Sequence, residues 1–226
     1  MDVANVPQSA ESPINRAKTR DVRIRLANYL MNFTKSLAVE TFDNISIIRF
    51  IRPEIKNPLS LQTLDELEQS FVSSASRAII LTGSGDTFAA GANLNEISSL
   101  TKDTAREFAR RGQALMQMIY NSDKLTIAAI NGYCFGGALD LALSCKQRIA
   151  SPTAVFCHPG VSLGIITGWG GTQMLPRLIG EAKALELFLT ARRVSANEAY
   201  KIGLVDKIAD DPLKLACEIA ESSKLE

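Results

Sequence analysis

Two runs of small residues carry the groups in this chain best placed for chemistry. They are Phe88-Ala89-Ala90-Gly91-Ala92-Asn93-Leu94 and Asn131-Gly132-Tyr133-Cys134-Phe135-Gly136-Gly137-Ala138-Leu139-Asp140. Both read as strand-to-glycine turns. Gly and Ala in such a turn let another group come close to the backbone, so free N–H groups act as donors. At Gly137 those N–H groups also stand near the start of a helix, where the dipole favours a developing negative charge. One donor from each turn can flank a carbonyl oxygen as an oxyanion hole. The same small residues also suit nothing more than tight strand–helix packing, and spacing alone leaves both readings open.

Other chemistries fall away. Gly83-Ser84-Gly85 lacks the third glycine of a dinucleotide fingerprint, and no Gly-Lys-Ser/Thr follows any glycine loop. There is no Gly-x-Ser-x-Gly elbow, and the single histidine, His158, would have to serve any triad. The four cysteines, at positions 134, 145, 157 and 217, show neither a CxxC pair nor zinc-ligand spacing, so no metal centre is expected. The charge balance of 25 basic against 24 acidic residues, net +1, leaves no footprint for nucleic acid. No apolar stretch approaches the roughly 18–20 residues of a membrane span. With 46% hydrophobic and 22% charged residues the composition is that of an ordinary globular protein. Reduced, mostly buried thiols point to the cytoplasm.

The elements that must position the turns alternate between strand and helix. Ile45 to Ile51 is a β-branched run stopped by Pro53, and Leu61, Leu64, Leu67 and Phe71 form a helical face after Ser60 as N-cap. Ala78-Ile79-Ile80-Leu81 and Thr126 to Ile130 read as short buried strands, Thr101 to Tyr120 as a helix, and Ser195 with Glu198 as a capping box. The pattern predicts an α/β layered fold. Residues 1–38 differ: a basic cluster (Arg16, Lys18, Arg20, Arg23, Arg25) precedes Leu26, Tyr29, Leu30 and Phe33 at helical spacing. This N-terminal arm is expected to be partly ordered, with residues 39–226 as the core. A mitochondrial-matrix targeting segment and a patch for an anionic ligand are the alternatives for the arm, and Asp2, Glu11 and Asp21 count against targeting.

Over about residues 42–212 the chain resembles the enoyl-CoA hydratase/isomerase (crotonase) family. The resemblance rests on Arg52-Pro53-Glu54-Ile55-Lys56-Asn57-Pro58-Leu59 and on the two turns. It continues through Leu163-Gly164, Gly170-Gly171-Thr172-Gln173, Leu175-Pro176-Arg177 and Ser195-Ala196 to Gly203-Leu204-Val205, in order and at family spacing. It implies a crotonase-like spiral of repeated β-β-α units, homotrimers or hexamers, and an acyl-CoA thioester as substrate. Coenzyme A would be part of that substrate, with no tightly bound cofactor. By position, the N–H groups of Ala92 and Gly137 would be the oxyanion donors. Ala90, Ala92, Asn93, Leu94 and Asn95, with Gly136 and Gly137, would lie against the acyl-CoA, and Lys56 is similar in place to cations near the CoA phosphates.

The sequence departs from the family where hydratases carry two glutamates. The first position is Asp140, shorter by one C–C bond of about 1.5 Å, and the second is Gly160, so one carboxylate is absent. Asp140 is the expected acid/base residue, its alternative being a plain helix-N-terminal carboxylate. His158, on the same strand parity as Gly160, is the candidate to replace the missing group. The family's C-terminal helices are also expected to be shortened, with Leu26, Tyr29, Leu30 and Phe33 as replacement packing. The expected function is that of an enoyl-CoA hydratase or isomerase stabilising a thioester enolate. The alternatives are another enolate reaction (decarboxylation or C–C cleavage) and a non-catalytic acyl-CoA-binding or assembly subunit.

Overall fold

A computed structural model of the chain describes residues 35–223. The basic arm, including Leu26, Tyr29, Leu30 and Phe33, lies outside the described residues. Strand β1 (Leu37–Phe42) starts within the stretch assigned to the arm and pairs antiparallel with β2 (Ile45–Phe50). Asp43 and Asn44 join them, both at positive φ (45° and 67°), the backbone that a two-residue hairpin with native twist requires.

From β2 the chain turns through Pro53–Ile55 and runs into helix α1 (Leu61–Ser73), where the Ser60 side chain accepts from Thr63 N–H as expected. It then makes three passes of one plan. Strand β3 (Ala78–Thr82) leads to β4 (Thr87–Ala89) and helices α2 (Leu94–Ser98) and α3 (Lys102–Tyr120). Strand β5 (Leu125–Ile130) leads to β6 (Tyr133–Phe135) and helix α4 (Gly137–Ser144). Strand β7 (Gln147–Ala150) leads to β8 (Val155–Cys157), the turn Pro159–Leu163, and helices α5 (Gly171–Ile179) and α6 (Glu181–Thr190). Then come β9 (Val194–Ser195), α7 (Ala196–Lys201), β10 (Lys207–Ile208) and α8 (Pro212–Ser222).

The first strand of each pass joins one sheet, ordered β1-β2-β3-β5-β7-β10 and parallel from β2 onward. The second strand joins another, ordered β4-β6-β8-β9. The result is the expected spiral of β-β-α units. β3 is buried along its whole length, as a central parallel strand covered on both faces must be. Alternate residues serve two cores. Ile45, Ile47, Ala78, Ile80, Ile127, Ala129 and Ile149 pack with Ala216 and Ala220 of α8, while Ile48, Phe50, Ile79, Leu81, Ala128 and Ile130 face the larger core on the other side. One local expectation is corrected at α7. Ser195 Oγ accepts from Glu198 N–H, but the Glu198 carboxylate pairs with Arg192 instead of returning to the cap, so the capping box is half made.

The topology brings the chemistry-bearing segments together. β4, β6 and β8 are adjacent and parallel, with Ala89 opposite Cys134 and Phe135 opposite Cys157. The chain therefore leaves all three strands at one end: at Ala90-Gly91-Ala92, at Gly136-Gly137 and at His158-Pro159-Gly160.

Candidate active site

At the first exit, Leu59 N–H donates to Gly91 O at 2.8 Å and Asn93 N–H to Leu59 O at 3.2 Å. These bonds fix the backbone of 91–93 beside Leu59 and turn the intervening Ala92 N–H to the opposite side, where it meets no acceptor among the described residues. Gly91 has φ +93°, and a Cβ there would meet Phe135 O at 2.6 Å and Gly137 N at 3.2 Å. The first turn thus rests backbone to backbone on the second, and only glycine fits.

At the second exit, Gly136 has φ +52° and ψ −122°, a glycine conformation, and its N–H donates to Cys157 O at 2.9 Å. Gly137 opens α4, so its N–H has no place in the helical ladder and no acceptor among the described residues. Trp169 is packed tightly against this point. A Cβ on Gly137 would run into its six-membered ring, and a Cβ on Gly112 of α3 into its five-membered ring. The indole is wedged between two glycines.

Ala92 and Gly137 line one cavity of about 230 Å³. Its remaining walls are Ala90, Gly91 and Leu94 from the first turn, Gly136 from the second, and His158, Pro159 and Gly160 from the third. The segment Ile165-Ile166-Thr167-Gly168-Trp169 closes it, with Ile97, Leu100 and Phe108 on the far side. Of the residues expected to bind substrate, Ala90, Ala92, Leu94, Gly136 and Gly137 are at this cavity. Asn93 and Asn95 are not: the Asn93 side chain accepts from Asn95 N–H and caps α2. Lys56 lies outside it too, exposed, with Nζ 2.8 Å from both carboxylate oxygens of Asp86. Its carbonyl accepts from Ala90 N–H at 3.0 Å, which ties it to the edge of the first turn.

The expected acid/base residues are brought together, in an order the sequence did not show. Asp140, with no exposed surface, stands behind the cavity wall. The Thr167 hydroxyl donates to its Oδ2, and Oδ1 has no hydrogen-bond partner of ordinary geometry among the described residues. His158 lines the cavity in front of it, 4% exposed, with Nε2 3.6 Å from Asp140 Oδ1 and neither ring nitrogen hydrogen-bonded. Burial pushes the Asp140 carboxyl up to about 7, partly offset by the Thr167 hydroxyl and the N–H groups of Gly171 and Trp169. Burial likewise pushes the His158 imidazole down to about 4. Between these values the pair holds one titrating proton, on the carboxyl.

Gly160 is more than a position lacking a carboxylate. A Cβ there would meet the Ile165 carbonyl oxygen at 2.6 Å, and Ile165 N–H donates to Gly160 O at 3.0 Å. Backbone fills the space a side chain would need, so a glutamate enters this position only if the 160–166 loop moves. Thr167 was missed from sequence. It is the lone hydroxyl in the run Ile165-Ile166-Thr167-Gly168-Trp169.

The model of the enoyl-CoA hydratase/isomerase family matches residues 40–222. The chain belongs to that family. With it comes the class, a crotonase-type acyl-CoA enzyme. Among curated family members, a crotonyl-CoA hydratase of Syntrophomonas wolfei is 38% identical over 190 residues, covering 82% of this chain and 73% of that protein. A short-chain-enoyl-CoA hydratase of Clostridium acetobutylicum is 36% identical over 192 residues, covering 82% and 74%. An enoyl-CoA hydratase structure from Thermoplasma volcanium superposes with a TM-score of 0.81 at 35% identity, covering 86% of this chain and 80% of that one. The family's fold accounts for the three parallel exits that assemble the cavity.

Proposed function

We propose that this crotonase-type enzyme holds the carbonyl oxygen of an acyl-CoA thioester between the N–H groups of Ala92 and Gly137. It stabilises the enolate formed when a proton leaves the neighbouring carbon. The observation that carries this reading is that Ala92 and Gly137, whose N–H groups meet no acceptor among the described residues, line one apolar cavity. Fixed donors that need no reorganisation stabilise a developing oxyanion far better than water does. At about 230 Å³ the cavity is below the usual range for a whole ligand, roughly 300–1,000 Å³. It suits a short acyl group, with the CoA portion outside it, towards Lys56.

Coenzyme A enters as part of the substrate, and the proposed chemistry uses no tightly bound cofactor. With backbone filling the space at Gly160, a reaction that removes one proton and returns it, such as a double-bond shift, suits the site better than hydration by two carboxylates. Leu94, Leu163, Ile165 and Ile166, the last 65% exposed, form an apolar rim to the cavity, which supports self-assembly of the chain into trimers or hexamers.

Acetoacetyl-CoA tests the reading, because its enolate has its own near-ultraviolet band. Added to the protein below the pH at which it ionises in water, it should develop that band. Absence of the band at saturating protein would remove the oxyanion assignment.

A further inference from the structure

The histidine is the group this site leaves unexplained. Imidazole nitrogens that are buried normally have hydrogen-bond partners. Here neither has one among the described residues, on a side chain 4% exposed that lines the cavity. The carboxylate oxygen facing Nε2 at 3.6 Å has none of ordinary geometry among them either. Two imidazole nitrogens with no hydrogen-bond partner among the described residues are costly unless something uses them.

The surroundings narrow what that is. From α4, Asp140 faces the ring. From α6, Phe188 packs on it, centroids 5.0 Å apart. Cys157 precedes it in the chain, its thiol turned to Ala191 O at 3.1 Å. Arg192 borders the small space behind the ring, with its guanidinium bonded to Glu186 and Glu198. Cys134 lies behind Asp140, its thiol held neutral by burial. Among the described residues the cavity wall holds no other ionisable side chain. Of the two described cavity-lining groups beside Asp140, His158 and the Thr167 hydroxyl, only the imidazole is a base.

We propose that His158 is the catalytic residue that exchanges a proton with the α-carbon of the bound thioester, and that Asp140 is a positioning residue that takes the proton on from behind. This rests on the acyl-CoA reading above. Nε2 faces Asp140, which leaves Nδ1 for the bound molecule. In the forward step the C–H bond breaks and an N–H bond forms at Nδ1. The C–H electron pair becomes the enolate double bond, and the negative charge settles on the oxygen between Ala92 and Gly137. At the same time Nε2–H gives its proton to the ionised Asp140, forming O–H. Reversal returns the proton to the same carbon, or to the far end of a conjugated dienolate, which moves the double bond. The site gains and loses nothing over the cycle, and in D₂O the proton held on the pair trades with solvent deuterium before the return step. The working base is the ionised carboxylate with a neutral imidazole, so exchange should rise with pH through the Asp140 titration.

The test is the exchange of the α-hydrogens of butyryl-CoA in D₂O, followed by proton NMR, which reads only this step. The unmodified protein should catalyse exchange, rising through about pH 7. His158→Gln should lower it about 10²–10⁴-fold while keeping the acetoacetyl-CoA enolate band. Asp140→Asn should lower exchange and flatten its pH profile, which a merely structural role would not do. Exchange within about twofold of the unmodified rate in His158→Gln would overturn the proposal, as would an unmodified protein that forms the band yet exchanges nothing. A missing band in the unmodified protein instead overturns the acyl-CoA reading, and this proposal with it. Should the variants fail to fold, the unmodified profile decides: a rate flat from about pH 6 to 8 overturns the proposal.

Discussion

Asp140→Asn and His158→Gln should tilt the pH dependence of stability in opposite directions. In the unfolded chain the two groups titrate near 3.8 and 6.5, and in the fold near 7 and 4. Asp140, raised by burial, favours the fold fully at low pH and loses that contribution as pH rises towards 7. His158, lowered by burial, contributes fully above about 6.5 and loses its contribution as pH falls towards 4. Between about pH 4 and 6.5 the unfolded chain carries one proton on the imidazole and the fold one on the carboxyl. The proton counts match, so the pair adds no slope in that window.

Removing either group exposes the other. Asp140→Asn leaves the histidine effect alone, so stability should fall as pH drops from 6.5 to 4, by about 1.4 kcal/mol per pH unit and about 3 kcal/mol at most. His158→Gln leaves the carboxyl effect alone, so stability should rise as pH drops from 7 to 4, by about 4 kcal/mol at most. Urea denaturation across this range, with each variant referred to the unmodified protein, measures both slopes. Parallel curves for all three would mean that the two groups do not share the buried environment described.

Gly137→Ala should cost activity and stability together. The added Cβ points into the six-membered ring of Trp169. That ring cannot withdraw, because Gly112 is against its other part, the side chain is 2% exposed, and Phe108 lies 5.5 Å away by centroids. Something must shift, and the nearest movable group is the Gly137 N–H itself. A displaced oxyanion donor costs about 10²–10³ in rate, and overpacking of this kind costs about 1–3 kcal/mol. Shrinking the indole separates the effects. Trp169→Leu alone opens a void, but combined with Gly137→Ala it gives the methyl room, so the double variant should be more stable than the sum of the singles by about 0.5–3 kcal/mol. Additive losses would show that the Gly137 Cβ does not meet Trp169.

Much of this was legible in the residues, because strand alternation, glycine turns and caps are local signals. Ser60 caps α1, and β3 and β5 fall where the apolar runs placed them. Position between elements was not legible. Asp140 reads as a helix-N-terminal acid, yet α4 carries it behind the wall, because Thr167 and Trp169 come in over it from a loop some 30 residues on. Gly160 reads as an absence until Ile165 folds back onto it. Glu198 has capping-box spacing, but Arg192 competes for its carboxylate. Each case turns on a contact that spacing does not encode: a distant loop at Asp140, a backbone turn at Gly160 and a stronger ionic partner at Glu198.

The central claim is that a thioester carbonyl is polarised between the Ala92 and Gly137 N–H groups. It is tested most directly by the isotope-edited infrared spectrum of butyryl-CoA labelled with carbon-13 at the thioester carbonyl. On binding to the unmodified protein the carbonyl stretch should move to lower frequency, as two hydrogen bonds lengthen the C=O bond, and the shift should shrink in Gly137→Ala. A carbonyl stretch at the same frequency bound and free would contradict the account.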